Sequence, residues 1–99
     1  MKVQTLVRRI PLPRTLIRFS EQHVRSIFDR FSARIAAVHV ELRDKNGRRG
    51  GGDKQCRIRV QLATGAGIVV QEEQASIRTA VRRAAGRAAT ELRHLLRRD

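Results

Sequence analysis

The sequence predicts an α+β domain in the order β-α-β-β-β-α: a four-stranded mixed sheet with two helices on one face and the other face wet. Three observations predict it. Residues 38–43 and 55–62 alternate apolar and polar side chains, which buries one face of a sheet and leaves the other in water. Residues 14–32 and 77–97 carry apolar residues at helical spacing, so each presents one apolar stripe that needs a cover. Turn residues punctuate the chain between these stretches: Pro11-Leu12-Pro13, Asn46-Gly47, Gly50-Gly51-Gly52 and Thr64-Gly65-Ala66-Gly67.

The first strand, residues 2–7, puts Val3, Thr5 and Val7 on one side, although Leu6 interrupts the alternation. The prolines end it. Pro13 suits the first turn of a helix, where no backbone N–H is needed. The helix from residue 14 to residue 32 gathers Leu16, Phe19, Val24, Ile27, Phe28 and Phe31 on its apolar face, and all three phenylalanines read as core. Arg14, Arg18, Arg25 and Arg30 fall toward the other side. The second strand, 35–43, and the third, 54–62, make a central hairpin. Val38, Val40 and Leu42 share its buried face with Cys56, Ile58, Val60 and Leu62. Asn46-Gly47 tolerates the positive φ of a turn, and the three glycines that follow lengthen the loop into a mobile tip. A short fourth strand, 68–71, pairs with the third, and Glu72-Glu73 form a polar end to an edge strand. Ser76 is the N-cap of the last helix, which runs to residue 97 or 98. Ile77, Ala80, Val81, Ala84, Ala88, Leu92 and Leu95 make its apolar stripe; Arg82, Arg83, Arg87, Arg93 and Arg97 project opposite. Gly86 weakens this helix by about 1 kcal/mol relative to alanine; it either admits a partner closely or has no role.

Charge is the loudest signal. Lys and Arg number 22 against 9 Asp and Glu, a net charge of +13 and a pI near 11.9. So basic a chain takes a polyanionic partner, and nucleic acid is the first candidate. An arginine-rich genome exchanges lysine for arginine, but it does not create an excess over acids. A membrane surface is the weaker reading. The chain has no Trp or Tyr to anchor at an interface, no apolar run of bilayer length and no signal-peptide core. A cytoplasmic protein is expected. Its 99 residues suit one domain, 1–99, and 40% apolar content is enough to fill one modest core. The single cysteine, Cys56, excludes an internal disulfide and reads as a buried, inert thiol.

The RNA-binding candidates are therefore Arg82, Arg83, Arg87, Arg93 and Arg97 of the last helix, with Arg25 and Arg30 of the first. Arginine forks match phosphate oxygens and keep their charge at any working pH. Arg83 and Arg87 stand one turn apart and can follow a phosphate backbone. Such contacts position RNA without reading bases, select it by shape and gain affinity from released counterions. Other sites fare worse. The triple glycine lacks the Gly-Lys-Ser/Thr ending of a nucleotide-binding loop and leads into no helix. Asp44, Asn46 and Asp53 lack calcium-loop spacing, and Arg48 and Arg49 oppose a cation, so Asx-turns are the better reading. His23, His39 and His94 share no metal-ligand spacing with Cys56; His23 reads as a helix-boundary residue and the others as wet. No nucleophile–base pair is evident, so no enzyme, cofactor, metal or small-molecule substrate is expected. Two rivals stand beside the RNA reading. One is a small RNA hydrolase using Asp44, Asp53 or a histidine; the other is a general double-stranded RNA- or DNA-binding module.

Asp44-Lys45-Asn46-Gly47, Gly50-Gly51, Asp53-Lys54 and Cys56-Arg57 together resemble the Asp-x-Asn-Gly…Gly-Gly-x-Asp-Lys-x-Cys-Arg signature of the ribosome hibernation-promoting factor family, also called ribosome-associated inhibitors or protein Y. Arg30-Phe31 ahead of the second strand and Ile77-x-x-Ala80-Val81 opening the last helix fit as well. The resemblance spans nearly the whole chain. It implies a fold like double-stranded-RNA-binding domains. It implies the small ribosomal subunit and its RNA as partner, bound where messenger and transfer RNA would sit, so that idle ribosomes fall silent. It places basic residues along the outer face of the last helix, with Arg87 on one such position. Thr90 stands where a basic residue is frequent in the family, and Arg78 where an aromatic is common. Longer members carry a second domain that pairs ribosomes. This chain ends at Asp99 without one, so a short form that does not pair ribosomes by its own tail is expected, and one that is monomeric in function.

Overall fold

The computed structural model describes residues 1–8, 12–44 and 54–97. Its elements are β1 (Lys2–Arg8), α1 (Arg14–Phe28), a short 3-10 helix (Asp29–Arg34), β2 (Ile35–Asp44), β3 (Lys54–Leu62), β4 (Gly67–Gln74) and α2 (Ile77–Arg97). The strands lie side by side in chain order, β1-β2-β3-β4. β1 runs parallel to β2, and the other two pairings are antiparallel. A parallel neighbour needs a crossover, and α1 supplies it. The mixed sheet with its two helices is the predicted α+β arrangement. The predicted turn at Asn46-Gly47, the mobile tip and the Asx-turns at Asn46 and Asp53 lie outside the described residues, as does the break at Pro11.

Strand register explains the core. Val3, Val38, Val60 and Ile68 form one row across the sheet, and Thr5, Val40, Ile58 and Val70 form the next. A third row runs Val7, Leu42, Cys56, Glu72. These rows face the helices: Val38, Val40, Leu42, Cys56, Ile58, Val60 and Val70 are all buried. The opposite rows, such as Gln4, His39, Arg59 and Val69, face away and are exposed. Leu6 falls on this outer face, half exposed, which resolves its misfit in the β1 alternation. Ile35 is buried although it is three residues from buried Val38, an odd step for a strand. A register shift between Ile35 and Ala37 inserts the extra residue that turns both inward.

The helices cover this face with small residues and one large anchor. α2 buries Ile77, Ala80, Val81, Ala84, Ala85, Ala88, Ala89 and Leu92. Its alanines let the helix backbone approach the sheet and α1 closely. α1 buries Ser20, Val24 and Phe28, a run at i, i+4, i+8. The Ser20 hydroxyl donates to the Leu16 carbonyl at 3.0 Å, so a polar residue is satisfied inside the seam. Full burial of Phe28 contributes roughly 1.5–3 kcal/mol.

α1 ends at Phe28, before the expected stop at residue 32. The chain tightens into the 3-10 helix instead. Three residues per turn stack Phe31 under Phe28, so both face the core while the backbone is re-aimed into β2. β4 is longer than the predicted 68–71, because Glu72, Glu73 and Gln74 continue the ladder opposite Cys56, Gln55 and Lys54. Gly65 adopts φ +100°, the left-handed conformation that the β3–β4 turn requires. Asp44 ends β2 in an ion pair with Lys54 across the hairpin at 3.0 Å.

Candidate nucleic-acid interface

The outer face of α2 is fixed at its start by Ser76. The Ser76 hydroxyl accepts from the Thr79 N–H at 3.1 Å, the N-cap bond expected of serine at this position. From there the buried stripe sets the helix rotation. It leaves Arg78, Arg82, Arg83, Gly86, Arg87, Thr90, Arg93 and Arg97 exposed. At about 100° per residue these span an arc of about 180°, from Arg78 on one flank to Arg87 on the other, with Gly86 near its middle. All five arginines predicted on this helix lie on the arc.

The flanks differ. On the α1 side, the guanidinium carbon of Arg78 sits 4.5 Å from the Phe19 ring centroid, and that of Arg82 sits 5.5 Å away. His23 stacks on the same ring, centroids 5.5 Å apart and planes 17° from parallel. Burial, and then the nearby Arg82 charge, push the His23 pKa down. Phe19 is therefore only partly core, since its ring also seats two cations. On the β4 side, Arg87 donates to the Gln71 carbonyl at 3.0 Å and pairs with the Glu72 carboxylate. The hydrogen bond from Arg87 is the main cause that holds the Glu72 carboxyl below its ordinary range; Gln74 and Arg83 add to it. Arg87 thus carries an internal counter-ion. The sequence reading had it free for phosphate.

The middle of the arc is less committed. Arg93 donates to the Thr90 hydroxyl at 3.2 Å, and that hydroxyl donates to the Gly86 carbonyl at 3.1 Å. Arg83 and Arg97 are exposed. Arg25 is exposed in the last turn of α1, and Arg30 lies 5.6 Å from the Phe31 ring centroid in the 3-10 helix. No described contact ties Arg25 or Arg30 to the α2 arc. The structure joins the two helices at Phe19 and His23 instead.

Sequence reasoning missed three partners in this region. Arg78 and Arg82 are four apart, as are Phe19 and His23, so each pair was readable as one helical face, but nothing indicated that the two faces meet. Glu72 continues the Ile68, Val70 alternation, which puts it on the helix-facing side of β4. That signal was present.

Elsewhere the chemistry is sparse. Burial pushes the Cys56 thiol up to about 12, with a smaller contribution from Glu72. His39 stands in the outer sheet row with Arg59, and His94 is exposed on α2. Among the described residues, no group of three His, Cys, Asp or Glu is placed to hold a metal ion. None of their helices is long and apolar enough to cross a membrane.

A family model described as sigma 54 modulation protein / S30EA ribosomal protein matches residues 7–99. The chain belongs to this family. Membership makes it a ribosome-associated protein. No curated protein sequence matches it. Solved structures share its fold. A ribosomal subunit interface protein from Coxiella burnetii aligns with a TM-score of 0.78 at 18% identity, over 96% of this chain and 97% of that one. The N-terminal domain of Thermus thermophilus protein Y aligns with a TM-score of 0.76 at 22% identity, over 96% of this chain and 99% of that one. At these identities the likeness is one of fold.

Proposed function

We propose that this chain is a ribosome-associated translation inhibitor of the cytoplasm. It binds the small ribosomal subunit through the basic face of α2, occupies the messenger and transfer RNA sites and keeps idle ribosomes inactive. It acts by occupancy, with no bond made or broken. The observation that carries this reading is the arginine arc of α2 on a chain of net charge +13 in a ribosomal protein family. Such an arc suits the phosphate backbone of folded RNA, which is held by charge and shape. The similar folds of a ribosomal subunit interface protein and of protein Y support a place of action on the ribosome.

The test is cosedimentation with ribosomes across a salt series, beside binding to an arbitrary RNA duplex. The informative variant is Arg83→Glu, Arg93→Glu and Arg97→Glu together, since none of the three seats on Phe19 or hydrogen-bonds Glu72, and only Arg83 acts on Glu72, through its charge. It keeps the core and takes the net charge from +13 to +7, two units for each of three reversals. Three lost phosphate contacts flatten the log–log salt slope by roughly 2 to 3. The folded variant should leave the ribosome at modest salt and no longer block transfer-RNA binding. Full inhibition by the folded variant would overturn the assignment of α2 as the binding face. Equal affinity of the wild type for ribosomes and for the arbitrary duplex would favour a general RNA-binding module.

A further inference from the structure

The seam between α1 and α2 holds two arginines with no carboxylate partner among the described residues, and this is where the structure carries most beyond ribosome association. Arg78 and Arg82 leave one helix one turn apart, and both bring their guanidinium carbons to a single ring, Phe19. Two like charges one turn apart repel. Here the Phe19 ring attracts both guanidiniums, which offsets part of that repulsion and restrains both side chains. A guanidinium seated over a ring still has its in-plane N–H donors free, and those donors form the fork that fits phosphate oxygens. The ring therefore removes side-chain freedom without using up hydrogen bonds.

We infer that Phe19, His23, Arg78 and Arg82 form a built phosphate site, in which Arg78 and Arg82 jointly grip one backbone phosphate of RNA. The inference rests on the RNA-binding reading of α2 and deepens it. The site is the α1-side flank of the α2 arc, so a strand held by Arg93 and Arg97 can continue onto it. His23 supports the same conclusion. Burial, and then the Arg82 charge, lower its pKa, so a phosphate that neutralises Arg82 moves its titration upward. Phe19 and His23 are positioning residues; the two arginines make the contact.

The experiment measures a fluorescent RNA duplex by anisotropy across salt for wild type, Arg78→Gln, Arg82→Gln and the double variant. Glutamine keeps helix propensity, and circular dichroism checks the fold. A jointly held phosphate is lost once, so the double variant should flatten the salt slope by roughly 0.7 to 0.9 and weaken binding about tenfold or more at fixed salt. An unchanged slope overturns the site, and flattening by twice that amount overturns the joint grip. Phe19→Leu keeps both charges and much of the apolar volume. It should leave the slope intact while affinity falls roughly two- to tenfold, the cost of ordering a free arginine. A folded Phe19→Leu protein that binds like wild type overturns the ring's positioning role. Nuclear magnetic resonance of His23 supplies a readout that a merely structural role would not move: its pKa rises when duplex RNA is added, and a fixed pKa counts against the site. Cosedimentation of the wild-type protein with ribosomes reads the broader function separately. If that fails while the duplex results hold, the site stands and the ribosomal reading falls.

Discussion

Replacing Gly86 by alanine separates stability from binding on the arc of α2. Gly86 is exposed between Ala85 and Arg87, and a Cβ built on it meets nothing within 4 Å. Its φ is not positive, so alanine fits the backbone as it stands. Its carbonyl already accepts from Thr90, and a methyl group leaves that bond intact. The gain is then the intrinsic helix preference alone, about 0.8–1.0 kcal/mol. For a chain of this size that amounts to a rise in Tm of roughly 4–8 °C. Thermal unfolding followed by circular dichroism measures it, and urea titration should show a higher midpoint at unchanged slope. A lower Tm would refute the open space around Gly86 and with it the rotation assigned to α2. The same protein reports on binding. If the backbone at Gly86 is approached closely by RNA, Gly86→Ala is more stable yet binds ribosomes more weakly. If the arginines alone make contact, affinity is unchanged.

Other expectations follow from particular contacts. Ser76→Ala removes the side-chain bond to the Thr79 N–H and should cost about 1 kcal/mol in urea unfolding, with fraying of the first turn of α2 in amide exchange. Cys56, with its thiol pushed up to about 12, should resist iodoacetamide in the folded protein and react once urea exposes it; rapid labelling under native conditions would contradict its burial. Its raised pKa also makes a stabilising contribution that is full below the unfolded thiol pKa and lost as pH rises through about 12. His23 has the opposite dependence. Its folded pKa is depressed, so its contribution is present above the unfolded value of 6.5 and is lost as pH falls through the folded pKa. His23→Gln should flatten the stability curve below pH 6.5, and an unchanged curve would place the loss at Glu72, whose lowered pKa acts in the same direction below the ordinary carboxyl value of 4.5.

Periodicity made most of the fold legible. Val38, Val40 and Leu42 against Cys56, Ile58 and Val60 announce the buried face, and the α2 stripe from Ile77 to Leu92 is found as read. These signals survive because each is local, a spacing within one element. What could not be read depends on two elements meeting. Ile35 is buried through a register shift that no spacing announces. Ser20 looks like a surface residue until its hydroxyl is bonded to its own helix and turned into the seam. At the interface, the arginines of α2 were legible as one basic face. Its division was not: the inward place of Glu72 was readable from the β4 alternation, but the pairing of Glu72 with Arg87 and of Phe19 with Arg78 and Arg82 joins elements remote in sequence.

The parallel β1–β2 seam has a consequence for the newborn chain. β2, β3 and β4 pair with their immediate neighbours in sequence, but Lys2 must wait for Ala37 and Arg8 for Arg43, across the whole of α1. Closing that longer loop costs more chain entropy, so the antiparallel strands and α2 assemble more readily than β1 docks. Synthesis delivers the elements in the reverse order. β1 leaves the ribosome first, with half-exposed Leu6 and no strand to join. It remains an unpaired edge until its partner emerges, and after folding it should be the first strand to open in hydrogen exchange.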